Sequence, residues 1–181
     1  MKYQARTQLS RRMIIHGLLI LLFWLTGTVC THAQTPGIHE LPEIDEINRI
    51  IDTHPPPSGV LFVVYEYEYD ALEWVVPRLS EYVRLLRAQH PKLAISVVSH
   101  GDEILALPLQ EKHLFPRVHK EIKTLAEQHQ VPFHVCGAYA VFNGLSEEDF
   151  PDYIDVVPFG PAQINDYKMV GYEAIDLGLT W

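Results

Sequence analysis

The sequence predicts an α/β domain: a parallel sheet of about five strands with helices on both faces. Two observations carry that prediction. From Gly59 onward, apolar runs too short for helices alternate with segments of helical period over about 120 residues, and such alternation folds as a parallel sheet with right-handed crossovers. The first two runs, "VLFVVY" (Val60 to Tyr65) and "LAISVVS" (Leu93 to Ser99), also lack polar alternation. A parallel strand covered on both faces should look that way.

The chain ahead of this domain divides in two. Residues 1–33 have the plan of a secretory signal: a basic start (Lys2, Arg6, Arg11, Arg12), an apolar run from Met13 to Val29, and Thr31-His32-Ala33 as a small-residue cleavage site. A retained membrane anchor is the competing reading, because the run is only slightly shorter than a bilayer-spanning helix. Polar, Pro-containing sequence follows at once and favours cleavage. Val29 before Cys30 disfavours lipoprotein processing. "SRRMIIH" (Ser10 to His16) also resembles a twin-arginine signal, so the Sec and twin-arginine routes both stay open. The expected destination is the periplasm or the exterior, with no stable membrane insertion after cleavage.

Residues 34–58 read as an arm. Leu41, Ile44, Ile47, Ile50 and Ile51 recur every three or four residues, with Pro42 at a first-turn position. They predict a short amphipathic helix docked on the domain or on a neighbouring subunit. "HPPPSG" (His54 to Gly59) then makes a stiff break.

Within the domain, 59–181, the remaining strand candidates are "PFHVC" (Pro132 to Cys136), "YIDVVP" (Tyr153 to Pro158) and "YEAIDL" (Tyr172 to Leu177). Val75, Val76, Leu79, Val83 and Leu86 share one helical face. Pro77 placed in a first turn predicts that helix from about Val76 to Ala88, with "EYEYDALE" as loop. Val118, Ile122, Leu125 and Ala126 mark the next helix. Ser146 and Asp149 resemble a capping box with Leu145 and Phe150 as its staple. Pro161 to Val170 makes the last helix, capped by Gly171.

Charge and cysteine content narrow the function. The leader takes four of the 14 Lys and Arg and none of the 23 Asp and Glu, leaving Gln34 to Trp181 at a formal charge of −13. Nucleic acid is therefore a poor partner, and so is an anionic membrane surface. Removing the leader also removes Cys30, which leaves Cys136 alone and the mature chain without an internal disulfide. A lone thiol in an oxidising compartment is either buried or kept for its reactivity.

Ligands of open parallel sheets bind at the carboxyl ends of the strands. Three such ends carry polar groups: "YEYEYD" (Tyr65 to Asp70), "SHGDE" (Ser99 to Glu103) and "CGAY" (Cys136 to Tyr139). Gly137 permits a tight turn and close approach of a ligand. A helix starting at Ala138 would aim its N-terminal amides at a Cys136 thiolate, a nucleophile toward sulfane sulfur or a disulfide. The competing reading is a buried strand-end cysteine. His100 stands at an equivalent strand end, either orienting a ligand or merely capping a turn. His134 shares a strand face with Cys136 and is expected to pack against a helix. His100, His134 and Cys136 match no tight metal-ligand spacing, and no metal is assigned. The acids and tyrosines of "YEYEYD" fit a solvated loop at a subunit rim as well as catalysis. GxGxxG, P-loop, GxSxG and CxxC signatures are absent, so no cofactor is predicted.

"ISVVSHGDEILAL" (Ile95 to Leu107), "QVPFHVCGAYAVFNGLSEEDF" (Gln130 to Phe150) and "VVPFGPAQINDYKMVGYEAI" (Val156 to Ile175) together resemble the DsrE/DsrF-like sulfur-relay family, and its exported, single-domain branch most closely. The shared order is a strand ending in His-Gly, then Phe-x-x-Cys-Gly, Gly-Leu, Val-Val-Pro-x-Gly and a closing Gly-Tyr. The resemblance spans roughly Gly59 to Leu177. It implies a Rossmann-like fold and a homo-oligomer, a trimer or a hexamer of stacked trimers. It also implies a sulfur carrier or transferase rather than a hydrolase, with Cys136 holding sulfur as a persulfide. His100, Gly101, Gly137, Ala138 and Tyr139 are the substrate-binding residues it implies. Ala138-Tyr139 stands where Asn-Thr is common, so the tyrosine narrows the pocket and removes a donor beside the sulfur. Donor and acceptor proteins of an exported relative must differ from cytosolic ones. Two other classes compete: a non-catalytic oligomeric module with a buried cysteine, and a ligand or metal sensor using His100 and Cys136.

Overall fold

Five strands, β1 (Gly59–Val64), β2 (Ala94–Ser99), β3 (Phe133–Cys136), β4 (Asp155–Val157) and β5 (Tyr172–Asp176), form one sheet in the order β4-β3-β2-β1-β5. Every neighbouring pair is parallel. The structure is a computed structural model that describes Leu41 and residues 43–178. The predicted leader, its cleavage site, the start of the arm and Pro42 lie outside the described residues. Among those described, no helix is long and apolar enough to cross a membrane.

The two faces of the sheet are covered unequally. On one face Val60, Phe62 and Val64 of β1 join Ile95, Val97, Phe133 and Val135 in a large apolar core. Helices α1 (Ile44–Asp52), α2 (Leu72–Gln89) and α3 (Pro116–Glu127) cover it, with the short α4 (Gly137–Phe142) at its rim through Ala140. On the other face Leu61, Val63 and Val98 meet only Ile164 of α5 (Gly160–Met169), flanked by Tyr167 and Tyr172. Successive residues of a strand point to opposite faces, and both sets here are buried. That is why the first two strands show no polar alternation.

The arm helix docks on its own domain. Ile44, Ile47 and Ile50 are buried in the main core, as their spacing predicts. Glu43, just ahead of α1, accepts a 3.1 Å hydrogen bond from the Tyr82 hydroxyl and lies 3.0 Å from the Arg78 guanidinium. Arg78 also donates to the Leu177 carbonyl at 2.6 Å, so one α2 residue ties α1 to the chain leaving β5.

Pro77 does not open α2. The helix begins at Leu72, and Pro77 lies inside it. A proline there removes one backbone bond and crowds the preceding turn. Leu72, Val75 and Val76 are nevertheless fully buried, and burial of each contributes about 1.5–3 kcal/mol, which outweighs the lost bond. The predicted capping box is present at Ser146 and Asp149, on a single 3-10 turn. The last helix ends at Gly171 with φ +87°, the left-handed conformation predicted for its cap.

The chain order places a crevice at the carboxyl edge. The connection leaving β3 stays on the thickly covered face through α4, whereas the one leaving β4 crosses to the other face through α5. Divergence of neighbouring connections to opposite faces is what opens a ligand crevice in such sheets. Cys136 closes β3 at that point.

Candidate functional site

Cys136 is the one cysteine among the described residues, free and 3% exposed. It is also the N-cap of α4, with extended backbone. The amides of that helix do not serve the sulfur, contrary to the sequence expectation. The Ala138 amide donates instead to the Pro158 carbonyl at 3.0 Å, because β4 runs alongside. The donor to Cys136 Sγ is the Gly160 amide at the start of α5, at 3.3 Å. A 10-residue helix thus directs the positive end of its dipole at the sulfur, and an N–H bond to sulfur strengthens when the sulfur is anionic.

Gly160 must be glycine. A Cβ built there would meet His100 Cβ at 2.9 Å, Cys136 Cβ at 3.2 Å and Val98 Cγ1 at 3.5 Å. The bare backbone lets α5 approach the ends of β2 and β3, and His100 and Cys136 become neighbours across it. His100 is half-buried and stacks on the Tyr65 ring with centroids 4.8 Å apart. Burial holds its imidazole below the usual pKa, while the Asp176 carboxylate pulls the other way.

A buried carboxylate that the sequence reading passed over sets the His100 loop. Glu103 is 0% exposed. It accepts hydrogen bonds from the Ser99 hydroxyl (2.7 Å), the Gly101 amide (2.9 Å) and the Glu66 amide (2.8 Å). The loops after β1 and β2 are thereby clamped together. Burial pushes the Glu103 carboxyl above its ordinary range, and these three donors oppose the shift. Gly101 serves this clamp: a Cβ there would lie 2.4 Å from the Glu66 carbonyl oxygen and 2.5 Å from Glu103 Oε2. Glu66 is itself buried, so "YEYEYD" is only in part a solvated loop.

Gly137 also answers to the protein's own backbone, since its Cβ would sit 2.9 Å from the Val157 carbonyl oxygen. Ala138 is exposed. It lines, with Gly137, Val141 and Pro158, a groove of about 520 Å³ beginning one residue past Cys136. Tyr139 donates its hydroxyl to Asp102, joining α4 to the His100–Gly101 loop. Its ring packs against the main core.

His134 packs on α5 as expected. Its Nε2 lies 2.7 Å from the Tyr167 hydroxyl, and its Nδ1 lies 2.7 Å from Asp155 Oδ2 on the neighbouring strand. Burial lowers its pKa, and the Asp155 carboxylate partly restores it. His134 therefore fastens α5, the helix whose first amide meets Cys136.

The profile of the DsrE/DsrF-like family matches residues 78–177. The chain belongs to the DsrE/DsrF-like family. Among solved structures, the chain is similar to protein of unknown function MTH1491 from Methanobacterium thermoautotrophicum, at 23% identity and TM-score 0.52, over 65% of this chain and 96% of that one. The ychN protein from E. coli is 17% identical with TM-score 0.46, over 65% of this chain and 98% of its own. At 23% identity the likeness to MTH1491 concerns the fold alone, the parallel α/β architecture described above. No curated protein sequence matches the chain. In the stretch Val156-Val157-Pro158-Phe159-Gly160 the glycine is the residue that packs against His100 and Cys136, and the contacts a Cβ would make there supply a steric reason for it.

Proposed function

We propose that this DsrE/DsrF-like protein is an exported sulfur carrier that holds sulfane sulfur as a persulfide on Cys136. The observation that carries the reading is the Gly160 amide donated to Cys136 Sγ at the carboxyl edge of the sheet. In the forward step a Cys136 thiolate attacks the outer sulfur of a donor persulfide R–S–SH. The donor S–S bond breaks, a Cys136 S–S bond forms, and R–S⁻ leaves. An acceptor thiolate then attacks the outer sulfur of Cys136–S–SH and releases the Cys136 thiolate. No net oxidation occurs and no cofactor is needed. The Gly160 amide would stabilise the thiolate both as attacking and as leaving group. His100 beside it is held toward the neutral form by burial, and so adds no second positive charge.

The leader supports export to the periplasm or beyond. Exposed Val141, Phe142 and Phe159 around the site support a homo-oligomer, a trimer or hexamer, or contact with donor and acceptor proteins. The 3% exposure of Cys136 favours a second reading, a non-catalytic oligomeric module in which the thiol only fills space. Intact mass after incubation with inorganic polysulfide separates them. The carrier gains one sulfur on Cys136 and returns it to an added thiol, and Cys136→Ser gains none. Equal labelling of the Cys136→Ser chain would end the carrier reading.

A further inference from the structure

A second concave feature lies on the opposite side of the molecule's chemistry, between α2 and α3. It is a groove of about 480 Å³ that shares no lining residue with the surroundings of Cys136. That volume is within the range of small-molecule sites, about 300–1,000 Å³. Its floor is apolar, formed by Val83 and Leu125, each nearly fully buried. Its rim is cationic: Arg84, Arg87 and Lys120 all line it, with His129 at one end.

The state of these cations is informative. Arg84 is neutralised by Glu81, at 2.7 and 2.5 Å. Arg87 is not. Its guanidinium donates to the His129 carbonyl, a capping contact at the end of α3, and its Nε is sealed from solvent without an acceptor. Among the described residues no carboxylate pairs with it, and burial alone depresses its pKa. Lys120 is exposed and likewise forms no ion pair among the described residues. Glu121 is the single carboxylate on the wall, and it pairs with neither. A half-buried guanidinium without a counter-ion is incompletely solvated, and a carboxylate meeting its planar fork would offset that loss. In a chain of formal charge −9, two cations without an ion-pair partner beside an apolar floor run against the general charge.

We propose that this groove binds a free single-chain carboxylate amphiphile, its head on Arg87 and Lys120 and its tail in the groove between α2 and α3, above Val83 and Leu125. The charge pattern supplies the head and the floor supplies the tail. A bilayer is the poorer fit, because the chain as a whole carries a formal charge of −9, which acts against a broad anionic surface more than against one small carboxylate held by two cations.

Calorimetric titration of the purified protein with decanoate, below its micelle concentration, tests this beside decanol and decyltrimethylammonium. Decanoate is expected to bind at least about tenfold more tightly than decanol, and the cationic amphiphile not at all. Arg87→Gln should weaken decanoate about tenfold or more. Lys120→Glu, at an exposed position where folding is not at risk, should weaken it several-fold. Cys136→Ser should leave it unchanged. Equal binding of decanoate and decanol, unaltered binding by both charge variants, or capture on anionic vesicles in preference to free decanoate would overturn the proposal.

Discussion

The two faces of the sheet divide the labour of the molecule. The face under α1, α2 and α3 holds most of the core, including fully buried Phe62, Leu79, Tyr82 and Phe133. The face under α5 is thin: Leu61, Val63, Val98 and Ile164 make its whole buried cluster, yet its strand residues include His134 and Cys136. Stability is thus concentrated on one side and polar chemistry on the other. A helix held by one apolar cluster and a His134–Tyr167 contact is easier to displace than one of three packed helices. The sulfur lies under the displaceable one.

The first way to break this comparison is to truncate each face. Leu79→Ala on the thick face should lower unfolding free energy by about 2–5 kcal/mol and leave the alkylation rate of Cys136 in the folded protein unchanged. Ile164→Val under α5 should lower it by only about 0.5–1.5 kcal/mol and still alter that rate. Urea denaturation and timed alkylation read both. Matching changes in alkylation from the two variants would erase the distinction.

Gly160→Ala sharpens the same point at one atom. The added methyl would lie 2.9 Å from His100 Cβ and 3.2 Å from Cys136 Cβ, so α5 must shift. Overpacking of this kind destabilises by about 1–3 kcal/mol. The shift moves the donated amide off Cys136 Sγ, and alkylation at neutral pH should slow more than the stability loss explains.

A smaller effect is expected from pH. His134 is buried with a pKa below 6.5, between Asp155 on β4 and Tyr167 on α5. Its folded state resists protonation, so its contribution is present above pH 6.5 and is lost as pH falls through the lowered value. Stability should decline on acidification below 6.5, and His134→Gln should flatten that part of the profile. His119, buried against Ala106 and lowered in the same way, will keep some slope in the variant. The smallest change belongs to Tyr139→Phe. It removes the hydroxyl donated to Asp102, at a surface-near position worth less than about 1 kcal/mol. Urea denaturation should place its midpoint close to that of the parent chain.

Much of this was legible before the fold. Short apolar runs located all five strands, and the spacing of Ile44, Ile47 and Ile50 located the arm helix. Local rules misplaced the start of α2, because the burial of Leu72 and Val75 is a tertiary effect that a proline penalty cannot foresee. The site was legible in its residues but not in its wiring. Cys136 and His100 were visible as strand ends. That the sulfur takes its hydrogen bond from Gly160, 24 residues later, depends on a crossover to the second face. Glu103 stood inside "SHGDE", but an acid three residues after a histidine has no sequence mark of complete burial. Gly137 drew notice as permitting a tight turn and close approach of a ligand. The backbone contact that a Cβ would make with the Val157 carbonyl oxygen comes from the neighbouring strand and has no mark in the local sequence.

The central claim is that the thin face presents a working thiol. The most direct measurement is the rate at which a bulky maleimide alkylates Cys136 in the folded protein at neutral pH, set against a free cysteine-containing peptide. Because Cys136 is only 3% exposed, alkylation is expected to be slower than the peptide's. It should still be much faster than global unfolding, through local displacement of α5, and should change in Gly160→Ala. A Cys136 that reacts only as fast as the whole protein unfolds would contradict it.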